Sequence, residues 1–351
     1  MLKQFIYIVF FLLAVSACET VYEGNIDLVS NAIVVETHIT GDETNHEIKL
    51  NWSRDFYSED YIEPVSGASV TVVDNHDNAY ECREIPYGIY DVSFKVIPTR
   101  KYKLLISYGG ELYESEYETV PEPPAIDTLY GEEYLKVIQQ GGETSVDNFR
   151  EILGQQFYVD IINNDSAKYY RFYARKILQY YFIKDTFIFA PVQIQKYCWK
   201  SFYPNGTFNI AGPNDYSGSK NIYKHPVEFF RYTEEALLDS GQVGLGWIYI
   251  IHEYGITKST FQFYTDLNSQ LEANGKIFDP LFTQARGNMR CTSDKNKTIL
   301  GNFEVASYRQ YRYYLRIESN VEKQYVRKLD TFYNIPEKGI KTSPPPDFWE
   351  D

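Results

Sequence analysis

From Ala32 to Thr119 the chain alternates apolar and polar residues in short runs separated by polar turns, the period-two signature of strands that bury one face. Ile33, Val34 and Val35 open one strand, and Ile48, Leu50 and Trp52 alternate along the next, with the turn-forming Gly41-Asp42-Glu43-Thr44-Asn45 between them. Val65 to Val73 runs into Asp74-Asn75-His76-Asp77-Asn78 and returns through Tyr80 and Cys82, which predicts a hairpin. The sharpest local signal is Tyr102 to Tyr108, then Gly109-Gly110, then Glu111 to Thr119. Two glycines supply the two positive φ angles of a type I′ turn. Registering the strands on that turn sets Ile106 opposite Tyr113, Leu104 opposite Ser115 and Tyr102 opposite Tyr117, with Lys103 opposite Glu116 on the other face. Residues 31–120 therefore read as a small β-sandwich of immunoglobulin or transthyretin-like type.

Pro121-Glu122-Pro123-Pro124 cannot continue a sheet, so residues 121–125 are expected to be a stiff linker. Beyond it, Phe157 to Ile162 and the aromatic run from Tyr169 to Tyr181 suit strands. Residues 126–320 read as a second, fibronectin-like sandwich with helical insertions. Ser259-Thr260-Phe261-Gln262 resembles a capping box, Phe263, Leu267 and Leu271 share one helical face, and Gly275 fits a helix stop, which predicts a helix over 260–274. Leu300 to Ser307 and Tyr311 to Ile317 are expected to close the second sandwich. Residues 321–351 form a tail that includes Pro344-Pro345-Pro346. The fold class is thus mainly β, with two sandwiches in tandem.

The first residues have a different pattern. A short basic start, Met1 to Gln4, precedes an apolar run from Phe5 to Val15 that is too short and wrongly flanked to span a membrane. Residues 1–17 read as a signal peptide. Ser16-Ala17-Cys18 ends it like a bacterial lipobox, which implies cleavage before Cys18, lipidation of that residue and a tether over 18–30. Two or more acyl chains, at about 0.8 kcal/mol per buried methylene, hold a protein on a bilayer almost irreversibly. Glu19 rather than Asp follows Cys18, so outer-membrane retention is expected, with the cell surface favoured over the periplasmic face.

Composition adds two exclusions. With 48 acidic and 34 basic residues the formal net charge is -14. Such a chain is a poor match to nucleic acid or to a polybasic membrane patch, both of which need Lys and Arg clusters. The 33 Tyr and 22 Phe favour strands, and the 44% hydrophobic content supports a sizeable core.

Candidate chemistry is sparse. No H-E-x-x-H, G-x-S-x-G, Walker or G-x-G-x-x-G motif is present, so no catalytic residue, metal ligand or cofactor is assigned. His38, His46, His76, His225 and His252 read as strand or turn residues, with no two at ligand spacing on one element. Asp74 to Asn78 is oxygen-rich but lacks calcium-loop spacing, and a solvated turn is the favoured reading. Of the cysteines beyond the leader, Cys198 and Cys291 are expected to pair and Cys82 to sit in a strand, the alternative being three small buried hydrophobes. The Tyr169–Phe182 aromatics are read as core, with contact to a partner or a glycan as the alternative.

The ordered set Cys18, Ile33-Val34-Val35-Glu36, Pro64 to Val70, Gly88-Ile89-Tyr90, Tyr102 to Ile106, Pro123 to Asp127, Ile277 to Pro280, Gly287 to Cys291 and Leu300 to Phe303 resembles a Bacteroidota lipoprotein family, domain of unknown function four-two-four-nine. Members are typically encoded beside TonB-dependent receptors. The resemblance implies an outer-membrane role next to such a β-barrel, with no catalytic residues and a small-molecule or oligomeric nutrient as cargo. Asp165-Ser166-Ala167 and Asp127-Thr128-Leu129 match the short pattern that Bacteroidota use for O-glycosylation, making Ser166 and Thr128 candidates. Two functions follow as expectations: a non-enzymatic accessory or ligand-capture partner of a TonB-dependent receptor, or a structural or adhesive surface lipoprotein that binds a protein or glycan. A hydrolase is the weakest third reading.

Overall fold

The computed structural model describes residues 32–316 except 55–60, 123–125, 140–148, 163–167, 188–190, 205, 217, 219–220, 232–241, 273–284 and 286. The protein is mainly β, with sandwich-type packing and one α-helix among the described residues. The N-terminal part forms β1 (Ile33–Thr37), β2 (Ile39–Thr40), β3 (Asn45–Trp52), β4 (Ser69–Asp74), β5 (Ala79–Glu81), β6 (Arg83–Ile85), β7 (Ile89–Ser93), β8 (Lys101–Tyr108), β9 (Glu111–Ser115) and β10 (Glu118–Thr119). Then come β11 (Ile126–Gln139), β12 (Phe149–Ile161), β13 (Tyr169–Phe187), β14 (Pro191–Phe202), β15 (Asn209–Ala211), β16 (Ile222–Arg231) and β17 (Gln242–Ile256). Helix α1 (Lys258–Glu272), β18 (Met289–Cys291), β19 (Ile299–Asn302) and β20 (Val305–Arg316) complete the order.

The first sandwich stacks a sheet of order β19-β1-β3-β7-β6 on one of order β18-β9-β8-β4-β5, with β10 added beside β8. The predicted alternation holds: along β8, Tyr102, Leu104 and Ile106 point into a core with Ile48, Leu50, Val72 and Tyr90. Gly109 and Gly110 have φ of 60° and 83°, and Ile106 faces Tyr113 as the turn requires. The register changes after Ser115. Its hydroxyl accepts from the Leu104 N–H at 2.9 Å and donates to the Glu116 carbonyl at 2.7 Å, replacing the backbone ladder. One residue is thereby added, Tyr102 faces Glu118 instead of Tyr117, and Lys103 pairs with Glu114 at 2.9 Å instead of with Glu116.

The contiguous division at residue 121 is corrected by β18 and β19. Both come from beyond α1, yet β18 pairs with β9 and β19 lies parallel to β1, so the first sandwich borrows its outer strands from residues 289–302. The parallel pair then crosses together into the other half, where β2 runs beside β20 (Ile39 against Val305). Phe303, fully buried in the first core, anchors the crossing. The Asn288 carboxamide brackets it, accepting from its N–H and donating to its carbonyl, both at 2.8 Å.

The second sandwich sets β11-β12-β16 against β14-β13-β17-β20-β2, with β15 beside β13. Tyr170, Phe172 and Tyr180 of the aromatic run are buried, which favours the core reading for them; the side chains of Tyr181 and Phe182 lie outside the described residues. The core joins Phe157, Phe230, Trp247 and Tyr249 by edge and tilted ring contacts. Helix α1 starts two residues earlier than expected. Thr257 is its cap, accepting from the Thr260 N–H at 3.3 Å. Phe261 and Tyr264 pack inward, whereas Leu271 is 55% exposed, so the apolar face differs from the expected Phe263, Leu267 and Leu271. Gly275 lies outside the described residues.

The Cys198–Cys291 pairing is not made. Cys291 is a free thiol buried in the first sandwich, because its strand left the half of the molecule that holds Cys198 in β14. Cys82 is also free, and burial pushes its thiol up to about 12.

Candidate functional site

An open concavity of about 510 Å³ lies on the outer face of the first sandwich. Strand β3 turns Lys49 and Asn51 outward, in alternation with the buried Ile48 and Leu50. Arg54, Tyr61, Ile62 and Pro64 line it from the following loop, and Tyr87, Gly88 and Ile89 from the β6–β7 turn. Trp52 N–H donates to the Glu63 carbonyl and Val65 N–H to the Leu50 carbonyl, both at 2.8 Å, which fixes that loop against β3.

Tyr87 is 78% exposed and Tyr61 89% exposed. Tyr87 has φ of 53°, a left-handed conformation that costs a side-chain-bearing residue roughly 1–3 kcal/mol. The neighbouring glycine is obligatory: a Cβ on Gly88 would lie 2.6 Å from the Leu50 carbonyl oxygen and 2.7 Å from Pro64 Cβ. Glu84 locks the turn, its carboxylate accepting from Gly67 N–H at 2.8 Å and Gly88 N–H at 3.2 Å, and those bonds hold its pKa below the ordinary carboxylate value. Lys49 meets Glu36 only at 3.7 Å, with both side chains exposed, a pair worth little. Sequence reasoning missed these residues. The one local signal was Pro86-Tyr87-Gly88 between two strand runs, which sets a tyrosine at a turn tip.

A second cluster joins the halves where β1 passes into β2 and β19 into β20. Glu304 accepts from Arg171 at 2.8 Å and from the Tyr264 hydroxyl at 2.6 Å, and His38 Nδ1 lies 3.3 Å from it. The Arg171 guanidinium stacks 4.1 Å from the Tyr254 ring centroid. Burial pushes the Glu304 pKa up, but the Arg171 charge and the bonds from His38 and Tyr264 outweigh it and keep the carboxyl well below its ordinary range. Glu118, also buried, accepts from Thr257 at 2.6 Å, Ser259 at 3.0 Å and Asn288 at 2.9 Å, tying β10 to the start of α1.

Asp74 is an internal staple of its turn. It accepts from His76 N–H at 2.8 Å and Asn78 N–H at 3.0 Å and pairs with Arg100, leaving its carboxylate committed to protein donors, as a turn reading requires. His225 is held between Tyr216 and the Asn209 carboxamide, and burial pushes its pKa down to about 4. His252 shares a 2.7 Å bond with the Tyr308 hydroxyl and, through burial, is likewise lowered to about 4. Neutral rings of this kind serve as packing groups. Among the described residues no three His, Cys, Asp or Glu side chains converge on one point. Cys18 and Ser166 lie outside the described residues, and Thr128 is exposed on β11.

Glu253 is fully buried on the inner face of β17, with neither carboxylate oxygen in a geometric hydrogen bond. Burial pushes its pKa up from 4.5 to about 8, against opposing effects of Tyr311 and Arg309. The folded state therefore holds a proton that the unfolded chain releases near 4.5. Stability is expected to fall as pH rises from about 4.5 to about 8, by up to about 1.4 kcal/mol per pH unit. Urea unfolding of Glu253→Gln across that range should remove this slope; an unchanged slope would show that the carboxyl is already ionised.

The inner face of the β11–β12 hairpin continues outward past the core. Pairing with β16 stops at Gly154, and Leu129, Phe157 and Val159 face the opposite sheet. Leu135, Val137, Phe149 and Leu153 have the same strand parity but are 48, 56, 61 and 48% exposed.

No helix among the described residues is long and apolar enough to cross a membrane. No curated protein matches the chain. Of solved structures, a DUF4785 family protein from Legionella pneumophila subsp. pneumophila str. Philadelphia 1 is similar at 10% identity and a TM-score of 0.16, covering 62% of this chain and 51% of that one. Two motifs of the resemblance hold glycines at close backbone approach: a Cβ on Gly287 would lie 1.6 Å from the Gly301 oxygen, and one on Gly301 1.9 Å from the Val35 oxygen. A family model matches residues 19–312, and the chain belongs to that family, described as "Domain of unknown function (DUF4249)".

Proposed function

We propose that this protein is a non-enzymatic, lipid-anchored outer-membrane protein, facing the cell surface, that captures a nutrient for a TonB-dependent receptor beside it. Lipidation of Cys18 supplies the anchor in this reading. The observation that carries the partnership is the exposed hairpin face formed by Leu135, Val137, Phe149 and Leu153. Four exposed apolar side chains on one face, with Glu151 set opposite Val137 among them, are costly in water and suit a protein interface. A membrane-held receptor fits because the anchor confines both proteins to one plane and raises their effective concentration.

The test is co-isolation of the tagged lipoprotein with its receptor, compared with a Leu135→Asp/Phe149→Asp variant. Both side chains are solvent-facing, so the variant is expected to fold and to lose the receptor. Equal recovery by a folded variant would remove the hairpin from the interface, and absence of a receptor from the unaltered protein would overturn the reading.

A further inference from the structure

We infer that strand β11 pairs, edge to edge and antiparallel, with the same strand of a second copy of this chain, about a two-fold axis at Tyr134. Among the described residues β11 has a strand neighbour on one side only, β12, and the backbone groups along its other edge from Leu129 to Gln139 find no backbone partner. Edges of this length usually carry a guard such as a proline or a bulge. β11 has no proline in its 14 residues, and its irregularity against β12 lies between Ile126 and Thr128, at its start. Past Gly154 the β11–β12 pair also continues without β16. Two strands alone are marginal in water until a third joins them.

Charge is the other usual guard of an edge, and on β11 it is self-complementary. A two-fold axis normal to the sheet sets residues of one face opposite residues of the same face, so each register is defined by the residue on the axis. An axis at Glu132, Glu133 or Lys136 brings like charges face to face, which destabilises the pairing. One at Leu135 sets Glu132 against Ile138, Glu133 against Val137 and Tyr134 against Lys136, and no charge is matched. Axes further along pair fewer residues or run into the irregularity at Thr128. With Tyr134 on the axis, Glu132 of each copy meets Lys136 of the other, and Tyr130 meets Ile138. Both charged groups have room for this. Glu132 meets Lys224 at 2.5 Å with its side chain 45% exposed, and Lys136 lies 5.2 Å from the Phe229 ring centroid with no carboxylate partner among the described residues. Tyr134 is 46% exposed, its ring edge-on to Phe229. The joined sheet has the order β16-β12-β11-β11-β12-β16, and the two-fold leaves Leu135 and Val137 of both copies on one side of it. The inference does not rest on the receptor reading, and its readout needs no receptor.

The experiment is sedimentation of the purified full-length protein in detergent, together with thiol cross-linking of Tyr134→Cys by a short bismaleimide. A dimer is expected, and Tyr134→Cys should be captured as a cross-linked dimer above the level of the unaltered protein, since residues on the axis face each other at about 5 Å between Cβ atoms. Tyr223→Cys, 60% exposed on β16 at the opposite edge of the sheet, should not be, which separates edge pairing from two chains sharing a micelle. Glu132→Lys and Lys136→Glu should each weaken the dimer about tenfold. The double variant Glu132→Lys/Lys136→Glu should restore it, because both ion pairs re-form with their signs exchanged. The inference is overturned if the unaltered protein sediments as a monomer at every concentration, if Tyr134→Cys cross-links no better than Tyr223→Cys, or if the double variant dimerises no better than the single ones.

Discussion

Replacing Glu304 by alanine is expected to cost about 3–5 kcal/mol of folding stability, the usual result of stranding one member of a buried ion pair. The Arg171 side chain is only 10% exposed, and without Glu304 its guanidinium keeps, among the described residues, the His38 ring nitrogen, at 3.1 Å, and the Tyr254 and Tyr264 rings as partners. Tyr264 also loses the acceptor for its hydroxyl. Because the folded state holds the Glu304 pKa below its ordinary 4.5, the contribution is present above that pH and is lost as pH falls. Urea unfolding at pH 7 measures the loss. An Arg171→Met/Glu304→Leu double variant should recover most of it, since apolar replacement removes both desolvation costs. A single-variant loss under about 1 kcal/mol would mean that the pair is solvated and does not hold the halves together.

Gly301→Ala is expected to be at least as damaging, at about 3 kcal/mol or more. Gly301 has φ of 95°, and the added Cβ would fall 1.9 Å from the Val35 carbonyl oxygen and 2.8 Å from its nitrogen. The neighbour is backbone of the paired strand β1, so relief requires the parallel pairing of Ile33–Glu36 with Ile299–Asn302 to open. Phe303 then loses the crossing that buries it. Thermal unfolding would read the effect, together with new protease sensitivity near β19. A variant of native stability would contradict the parallel closure.

The parts of the fold legible in the sequence are those set by neighbours along the chain. The Gly109-Gly110 turn, the alternation of β8 and the burial of Tyr170 and Phe172 follow from local period and turn chemistry. The pairing of β19 with β1 does not, because it joins residues more than 250 positions apart and a run such as Ile299–Asn302 carries no mark of which sheet it will enter. The mistaken domain edge and the mistaken disulfide have this one cause. The slip at Glu118 has another: a serine hydroxyl substituted for a backbone donor and acceptor, which a pattern of apolar positions does not register. The cap at Thr257 was obscured by a second hydroxyl-rich start, Ser259-Thr260, two residues later.

The concavity beside Tyr87 was less legible than the fold. Its residues come from a strand face, a loop and a turn some 40 positions apart, and none has a motif spacing. What singles them out is exposure and backbone conformation at Tyr87, properties that exist only once the turn is folded. By contrast, the Gly287 and Gly301 motifs that carry the family resemblance are explained by close backbone approach and need no ligand.

The central proposal is an anchored partner of an outer-membrane receptor, and its most direct test is a mild-detergent pull-down of the tagged, lipidated protein from outer membranes with mass spectrometry of what is retained. The account predicts a β-barrel receptor in stoichiometric amount, lost when Cys18→Ala removes the anchor. Recovery of the lipidated protein alone would contradict it.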